Sequence, residues 1–280
     1  MAAERPILVP LDGSTAAENA LPLAAWYSRV TGAPLQFIHV LDSDTKPEAR
    51  AHAAEVFQSY ASGLGATHHL GEIECQVLVG SPADQVLSAC VTAAAIAIAT
   101  HGRGGFRAMV LGSTADKIIR GAVVPVLVEP GTEKSKPPSS SRPILVGLDG
   151  SEEAELGLVA ARALAAKDGL KVVLFRAFHI PPPVGIEFAA YPGDLSSTLE
   201  EAARDYLART GQPGEQTVLA QGDAASALLQ AAEELNAGLI VLTSSGKGLT
   251  KRIALGSTTD RVIHGTERAV LVVPPAATSD

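Results

Sequence analysis

Two short segments of the chain combine residue types that can hold an anion. Thr100-His101-Gly102-Arg103-Gly104-Gly105 follows the apolar run Ile96-Ala97-Ile98-Ala99, and nine residues then separate Gly102 from Gly112-Ser113-Thr114. Small residues let the backbone approach a ligand closely, and exposed amides at a helix start bind phosphate oxygens with help from the helix dipole and neighbouring hydroxyls. The same layout recurs as Ser245-Gly246-Lys247-Gly248, again with nine residues from Gly246 to Gly256-Ser257-Thr258. Each copy keeps a cation, Arg103 or Lys247, and another at Arg107 or Lys251. An ordinary Gly-rich connection with a capped helix would explain the hydroxyls, but neither the paired glycine clusters nor the cations. A third element is Asp12, in Val9-Pro10-Leu11-Asp12-Gly13-Ser14, which recurs as Asp149. As it leaves a strand, such an acid either accepts hydrogen bonds from a ribose or makes a turn that caps the next helix.

Other chemistries lack their residues. The Walker A pattern GxxxxGK[ST] is absent, and so is GxGxxG followed by a ribose-binding acid. No GxSxG elbow offers a hydrolase nucleophile. The histidine pair His68-His69 has no HExxH or CxxC spacing around it that would hold a metal. His39 and His101 end strands near the proposed cleft, but neither has an acid or nucleophile partner evident in sequence, so no catalytic role is assigned to them. Cys75 and Cys90 are too few for a disulfide scaffold and suit a reducing compartment as small buried residues. With 22 Lys and Arg against 30 Asp and Glu, the net charge of −8 gives no overall field for nucleic acid or an anionic membrane. The start MAAERPILVPLDG lacks the pattern of a signal peptide, and no apolar run is long enough to span a membrane. A cytoplasmic protein is expected.

The elements that must position these residues come from a duplicated chain. PILVPLDGS at 6–14 returns as PILVGLDGS at 143–151, and LGSTAD at 111–116 returns as LGSTTD at 255–260. The offset drifts from 137 to 144, which places about seven extra residues in the second copy, for example in the Pro-rich stretch 181–192. With 280 residues, 46% of them hydrophobic, the chain can bury two cores of modal domain size. The expected domains are 1–130 and 143–280, joined by a linker over 131–142 whose Pro, Gly, Ser and charges show no apolar periodicity.

Strands are predicted near 6–11, 35–41, 73–79, 95–100 and 124–128, and near 143–148, 171–177, 216–220, 238–243 and 269–273. Helices are predicted over 15–31, 48–62, 82–93 and 113–120, and over 151–167, 195–209, 223–235 and 257–264. Strands that alternate with helices imply βαβ units, and runs apolar on both faces imply a parallel sheet covered on each side. The class is doubly wound α/β. Thr15 with Glu18, and Ser113 with Asp116, have the spacing of reciprocal helix caps.

Taken together, these motifs resemble the universal stress protein family in its tandem form, over nearly all of both halves outside the linker. The resemblance rests on PILVPLDGS, His39-Val40 closing the second strand, Gly80 before the third helix, THGRGG, the nine-residue spacing to LGST, and Pro125-Val126-Leu127-Val128. It implies a five-stranded parallel sheet of order 3-2-1-4-5 in each half, with ATP, with or without Mg2+, as the cofactor. By that likeness Asp12 would bind ribose, and Pro10 and Ala99 would line the site. The Val40 backbone would meet adenine, while Gly102, Arg103, Gly112, Ser113 and Thr114 would surround the phosphates. Asp149, Ala177, Gly246, Lys247, Gly256, Ser257 and Thr258 hold the matching positions in the second half.

The sequence departs from the family pattern where its first glycine would be, at Ala99 and Thr243, and Cβ atoms there narrow the approach to a nucleotide. Copy two also has Gly147 for Pro10, Ser245 for His101 and Ala269 for Pro125, so the first site ranks above the second. The resemblance further implies that Val124 to Val128 and Val270 to Val273 meet as an intramolecular pseudo-dimer, leaving room for a homodimer of whole chains. The expected function is a nucleotide sensor or buffer in the stress response, acting through conformational change on an unidentified protein partner. The alternatives are a slow ATP hydrolase or autophosphorylating protein using Ser113 or Thr114, and a nucleotide-free interaction scaffold.

Overall fold

A computed structural model describes residues 5–100, 111–132, 134–179, 195–244 and 255–275. In the N-terminal half the strands are β1 (Ile7–Pro10), β2 (Leu35–Leu41), β3 (Ile73–Val79), β4 (Ala95–Ala99) and β5 (Val126–Glu129). The helices between them are α1 (Thr15–Glu18), α2 (Leu21–Thr31), α3 (Pro47–His68), α4 (Pro82–Ala89) and α5 (Ser113–Gly121). The C-terminal half carries β6 (Ile144–Gly147), β7 (Val172–Phe178), β8 (Gln216–Gln221), β9 (Leu239–Thr243) and β10 (Val270–Val273). Its described helices are α6 (Glu152–Asp168), α7 (Leu195–Thr210), α8 (Ala224–Glu234) and α9 (Ser257–Gly265).

Each half has the expected strand order, β3-β2-β1-β4-β5 and β8-β7-β6-β9-β10, parallel throughout. The two sheets do not stay separate. β5 and β10 pair antiparallel, Val128 opposite Val270 and Val126 opposite Val272, and merge them into one ten-stranded sheet. Alternation along the strands serves two cores. Ile7, Val9, Leu127 and Leu271 face one side with Trp26 and Phe57. Leu8, Ile96, Ile98, Val126 and Val270 face the other with Val86 and Ile118. Both apolar layers run unbroken across the junction, because β5 and β10 contribute fully buried residues to each.

Further contacts among the described residues join the halves. The Arg29 guanidinium holds both oxygens of Asp168 at 2.7 and 3.0 Å, and Trp26 Nε1 donates to the same carboxylate at 3.0 Å. Together they hold the Asp168 carboxyl below its ordinary titration range. The connecting segment is also engaged. Thr132 Oγ1 donates to Glu267 O at 2.8 Å, and Pro138 lies so close to Gly238 that a Cβ there would stand 2.6 Å from its Cα.

The helices depart from expectation for identifiable reasons. The helix predicted over 15–31 is two, because the Pro22 ring cannot accept the carbonyl of residue 18 and lacks an N–H to continue the ladder. The corresponding residue in the second copy is Val159, and α6 there runs unbroken for 17 residues. The helix predicted over 48–62 continues through Gly63 and Gly65 to His68, since Leu64 is buried and Gly65 packs against Ile73. The helix predicted over 82–93 gives way at Cys90 to a single 3-10 turn, Cys90–Thr92. The caps also move by one residue. Ser14, not Thr15, accepts from Ala17 N at 3.2 Å, while Glu18 takes the Tyr60 hydroxyl at 2.7 Å. Gly112, not Ser113, is the N-cap of α5, and Asp116 instead pairs with Arg120.

Candidate functional site

The carboxyl ends of β1, β2 and β4 meet where the strand order of the N-terminal half reverses, the place where open parallel sheets hold ligands. A cavity of about 520 Å³ opens there, within the range of small-molecule sites. Its floor is apolar: Ile38, Val40, Val86, Ile98 and Ile118. Among the described residues its polar groups come from the β1–α1 turn, from His39 in β2 and from the start of α5.

In the β1–α1 turn, Asp12 Oδ1 accepts from Ser14 N at 2.9 Å. Gly13 takes a φ of 81°, and its repeat partner Gly150 takes 83°, a left-handed conformation that explains a glycine after the acid in both copies. The turn role weighed for Asp12 in the sequence is therefore real, and it coexists with a place on the cavity wall.

The α5 loop brings Gly112, Ser113 and Thr114 to the same wall. Gly112 is extended (φ −64°, ψ 147°) and no described side chain caps the helix. The first amides of a helix have no intrahelical partner, and here they belong to residues that line the cavity, an arrangement suited to an anion.

Pro10, Asp12, Val40, Ala99, Gly112, Ser113 and Thr114 all line this one cavity. Gly102 and Arg103 lie outside the described residues, as do Gly246 and Lys247 in the second copy. Sequence reasoning passed over Pro82 and Val86 of α4, which close the apolar side, and it left His39 without a role. His39 also lines the cavity. Its Nδ1 contacts Leu11 O at 2.8 Å and its ring stacks on Phe57 at 5.3 Å, fixing the backbone just before Asp12. Its position near the end of β2 placed it by the cleft in the sequence, but its partners could not be read there.

The C-terminal half has a second cavity of about 750 Å³ at the equivalent ends of β6, β7 and β9. Asp149, Ala177, Gly256, Ser257 and Thr258 line it, so the predicted residues within the described segments are again gathered. Its details differ from the first. Asp149 Oδ1 accepts from both the Ser151 amide and hydroxyl. Gly147 replaces Pro10, and Leu242 fills the space: a Cβ on Gly147 would stand 2.5 Å from its Cδ2. Thr243 turns its carbonyl to the Thr259 hydroxyl at 2.8 Å. Where His39 stands in copy one, Arg176 lies over the Tyr206 ring at 4.3 Å and against Gly150.

A repeated support lies behind both sites. Tyr60 donates to Glu18, and Tyr206 donates to Glu155 at 3.2 Å, tying α3 to α1 and α7 to α6. Burial raises both phenols above their ordinary range, and the acceptor carboxylates add to that shift, so the hydroxyls stay protonated as donors.

Comparison with known proteins bears on this geometry. The family model described as "Universal stress protein family" matches the chain twice, at residues 4–130 and 140–274. A universal stress protein of Mycobacterium tuberculosis is 24% identical over 285 residues, covering 95% of this chain and 96% of that one. One from Mycolicibacterium smegmatis is 27% identical over 296 residues and covers 98% of each. Among solved structures, a universal stress protein from Archaeoglobus fulgidus superimposes with a TM-score of 0.70 at 20% identity, covering 96% of this chain and 98% of its own, which shows a shared fold.

Proposed function

This chain belongs to the universal stress protein family, and from that premise we propose that it binds ATP at the sheet's switch point in the N-terminal half, acting as a nucleotide sensor or buffer in a stress response. The observation that carries the reading is the convergence on one cavity of an acid after β1, an apolar slot beside Val40, and the uncapped start of α5. Adenine would lie in the slot against Ile38, Val40 and Val86, with the Val40 backbone available to its polar edge. Ribose would reach Asp12, and the phosphates would meet the amides and hydroxyls of Ser113 and Thr114, whose helix dipole favours negative charge. Arg103 is proposed to close over that end. Mg2+ would ride on the phosphates and supply charge neutralisation. Asp149, Ala177, Gly256, Ser257, Thr258 and Lys247 are proposed to play the same parts in the second cavity.

The response to nucleotide would be conformational: bound ligand favours whichever state closes on it. Asp12 and His39 are the ionisable side chains on the described wall of the first cavity, and each already holds local backbone. The β5–β10 pairing is proposed to satisfy within one chain the contact that would otherwise need a second copy.

Thermal melting of the full chain with ATP tests the reading. A ligand at a hundred times its Kd stabilises the folded state by about 2.7 kcal/mol, which moves Tm by several degrees. An unchanged Tm at millimolar ATP, in protein stripped of nucleotide, would refute it. Among the described residues no helix is long and apolar enough to cross a membrane.

A further inference from the structure

Arg120 belongs to the last turn of α5, in the N-terminal half, yet its side chain lines the cavity of the C-terminal half. Two acids hold it. Its Nε donates to Asp116 Oδ1 at 2.8 Å within α5, and its Nη2 donates to Asp260 Oδ1 at 2.7 Å across the junction. Asp116 and Asp260 are equivalent positions of the LGSTAD and LGSTTD repeats. Arg120's own equivalent is His264, which contacts Asp260 O through Nδ1 at 2.7 Å and does not line the first cavity. The duplication is broken at this position. The described wall of the second cavity carries a guanidinium from the other half, and the described wall of the first carries no cation of its own kind.

The chemistry follows from what surrounds the guanidinium. Asp260 lies in the first turn of α9 and lines the cavity. A carboxylate there suits the helix dipole, but it repels a second anion at the same helix start. Arg120 offsets that charge. A guanidinium is a planar fork of five donors that matches phosphate oxygens two at a time. The contacts with Asp116 and Asp260 engage Nε and Nη2, so Nη1 can turn to a ligand. The side chain keeps about a third of its surface exposed, 34%, and so has room to do so.

We infer that Arg120 reads the ligand of the second cavity from across the junction and selects one that carries a phosphate chain. The inference rests on the proposed placing of phosphates at the start of α9. It makes the second site incomplete without the first half. It also links occupancy to the junction, because the guanidinium that would meet the phosphate chain is the one that holds Asp260, and coupling of this kind is reciprocal.

Calorimetric titration of the nucleotide-free full chain with ATP tests this on four proteins. Ala177→Trp fills the second cavity and so defines the isotherm of the first. Against that reference, Arg120→Ala should weaken only the class of binding that Ala177→Trp abolishes, by about tenfold, the loss of one charge-assisted contact. Asp260→Asn should tighten the same class severalfold, since it frees Arg120 and removes a like charge. That opposite sign separates ligand reading from a structural ion pair, and it carries the test alone should Arg120→Ala fail to fold. The inference is overturned if Arg120→Ala titrates as wild type, or if Asp260→Asn weakens binding as Arg120→Ala does. It is also overturned if wild type and Ala177→Trp titrate alike, which leaves ATP in the first cavity unaffected. Absence of any binding overturns the proposed function together with it.

Discussion

Asp12 carries two roles that a pair of substitutions can separate. Its Oδ1 accepts from Ser14 N at 2.9 Å and so shapes the turn into α1, and it is also proposed to meet the ribose. Asparagine keeps an oxygen for Ser14 N and loses the charge, whereas alanine loses both. A neutral hydrogen bond of this kind contributes about 0.5–1.5 kcal/mol, while one to a charged group contributes about 1.5–3 kcal/mol. Because Asp12 and its bond to Ser14 N are exposed to water, Asp12→Asn should leave urea unfolding within about 0.5 kcal/mol of wild type, a change typical of surface substitutions. Its affinity for ATP should fall by roughly 10- to 100-fold. Asp12→Ala should show the same loss of affinity together with about 1 kcal/mol of lost stability. Deoxygenated ribose supplies the control. If Asp12 meets the ribose hydroxyls, 2′- or 3′-deoxy-ATP should bind wild type more weakly than ATP, and Asp12→Asn should shrink that difference. Equal ATP affinities for wild type and Asp12→Asn, with all loss confined to Asp12→Ala in step with its stability, would show that Asp12 is a turn residue alone.

Three other consequences concern the scaffold. Leu127 is fully buried opposite Leu271 at the junction; Leu127→Ala should cost about 2–5 kcal/mol. Because the apolar layers are continuous, fluorescence of the single Trp26 and far-UV circular dichroism should still report one shared unfolding transition, and two separated transitions in wild type would contradict that continuity. Gly238→Ala should destabilise by about 1–3 kcal/mol, because its Cβ would meet Pro138 backbone at 2.6 and 2.9 Å; a neutral result in chemical denaturation would mean that the connecting segment yields. The Arg162 guanidinium grips Glu215 at 2.8 and 2.7 Å and holds its carboxyl below the usual range. A depressed folded pKa means stability that is present above the ordinary Glu value of about 4.3 and lost as pH falls through the folded one. Arg162→Ala should therefore flatten the acid side of the stability profile below about pH 4, and an unchanged slope there would deny the coupling.

Much of the architecture was legible because βαβ alternation and duplication repeat the same message twice. The limits of β2 and β3 follow from short aliphatic runs bounded by turns, and they agree with the sequence reading residue for residue. Where the reading slipped, local signals competed. Ser14 and Thr15 offer two adjacent hydroxyls within one turn, and only backbone geometry selects the cap. Pro22 did announce a break, but the periodicity on either side masked it. Long-range contacts left no local trace. The composition of 131–142 is that of a loose linker, yet Pro138 packs on Gly238, a residue a hundred positions later. Arg120 reads as an ordinary surface residue of an amphipathic helix. Its place in the second cavity depends on the antiparallel docking of β5 and β10, which no local pattern encodes.

The gathering of Asp12 and Gly112 to Thr114 around one cavity was anticipated by motif and spacing, and that of Val40 by the family resemblance, because these residues close strands or open helices at the same edge of the sheet. The parts played by Pro82, Val86 and His39 were not. They are set by how α4 covers the sheet and by which face of β2 turns inward.

A crystal structure of the full chain grown with ATP puts the central claim to its most direct trial. The account predicts density for the base beside Val40, ribose at Asp12 and phosphate oxygens within hydrogen-bonding distance of the Ser113 and Thr114 amides. An empty N-terminal cavity at saturating ATP, or a nucleotide whose phosphates turn away from α5, would contradict it.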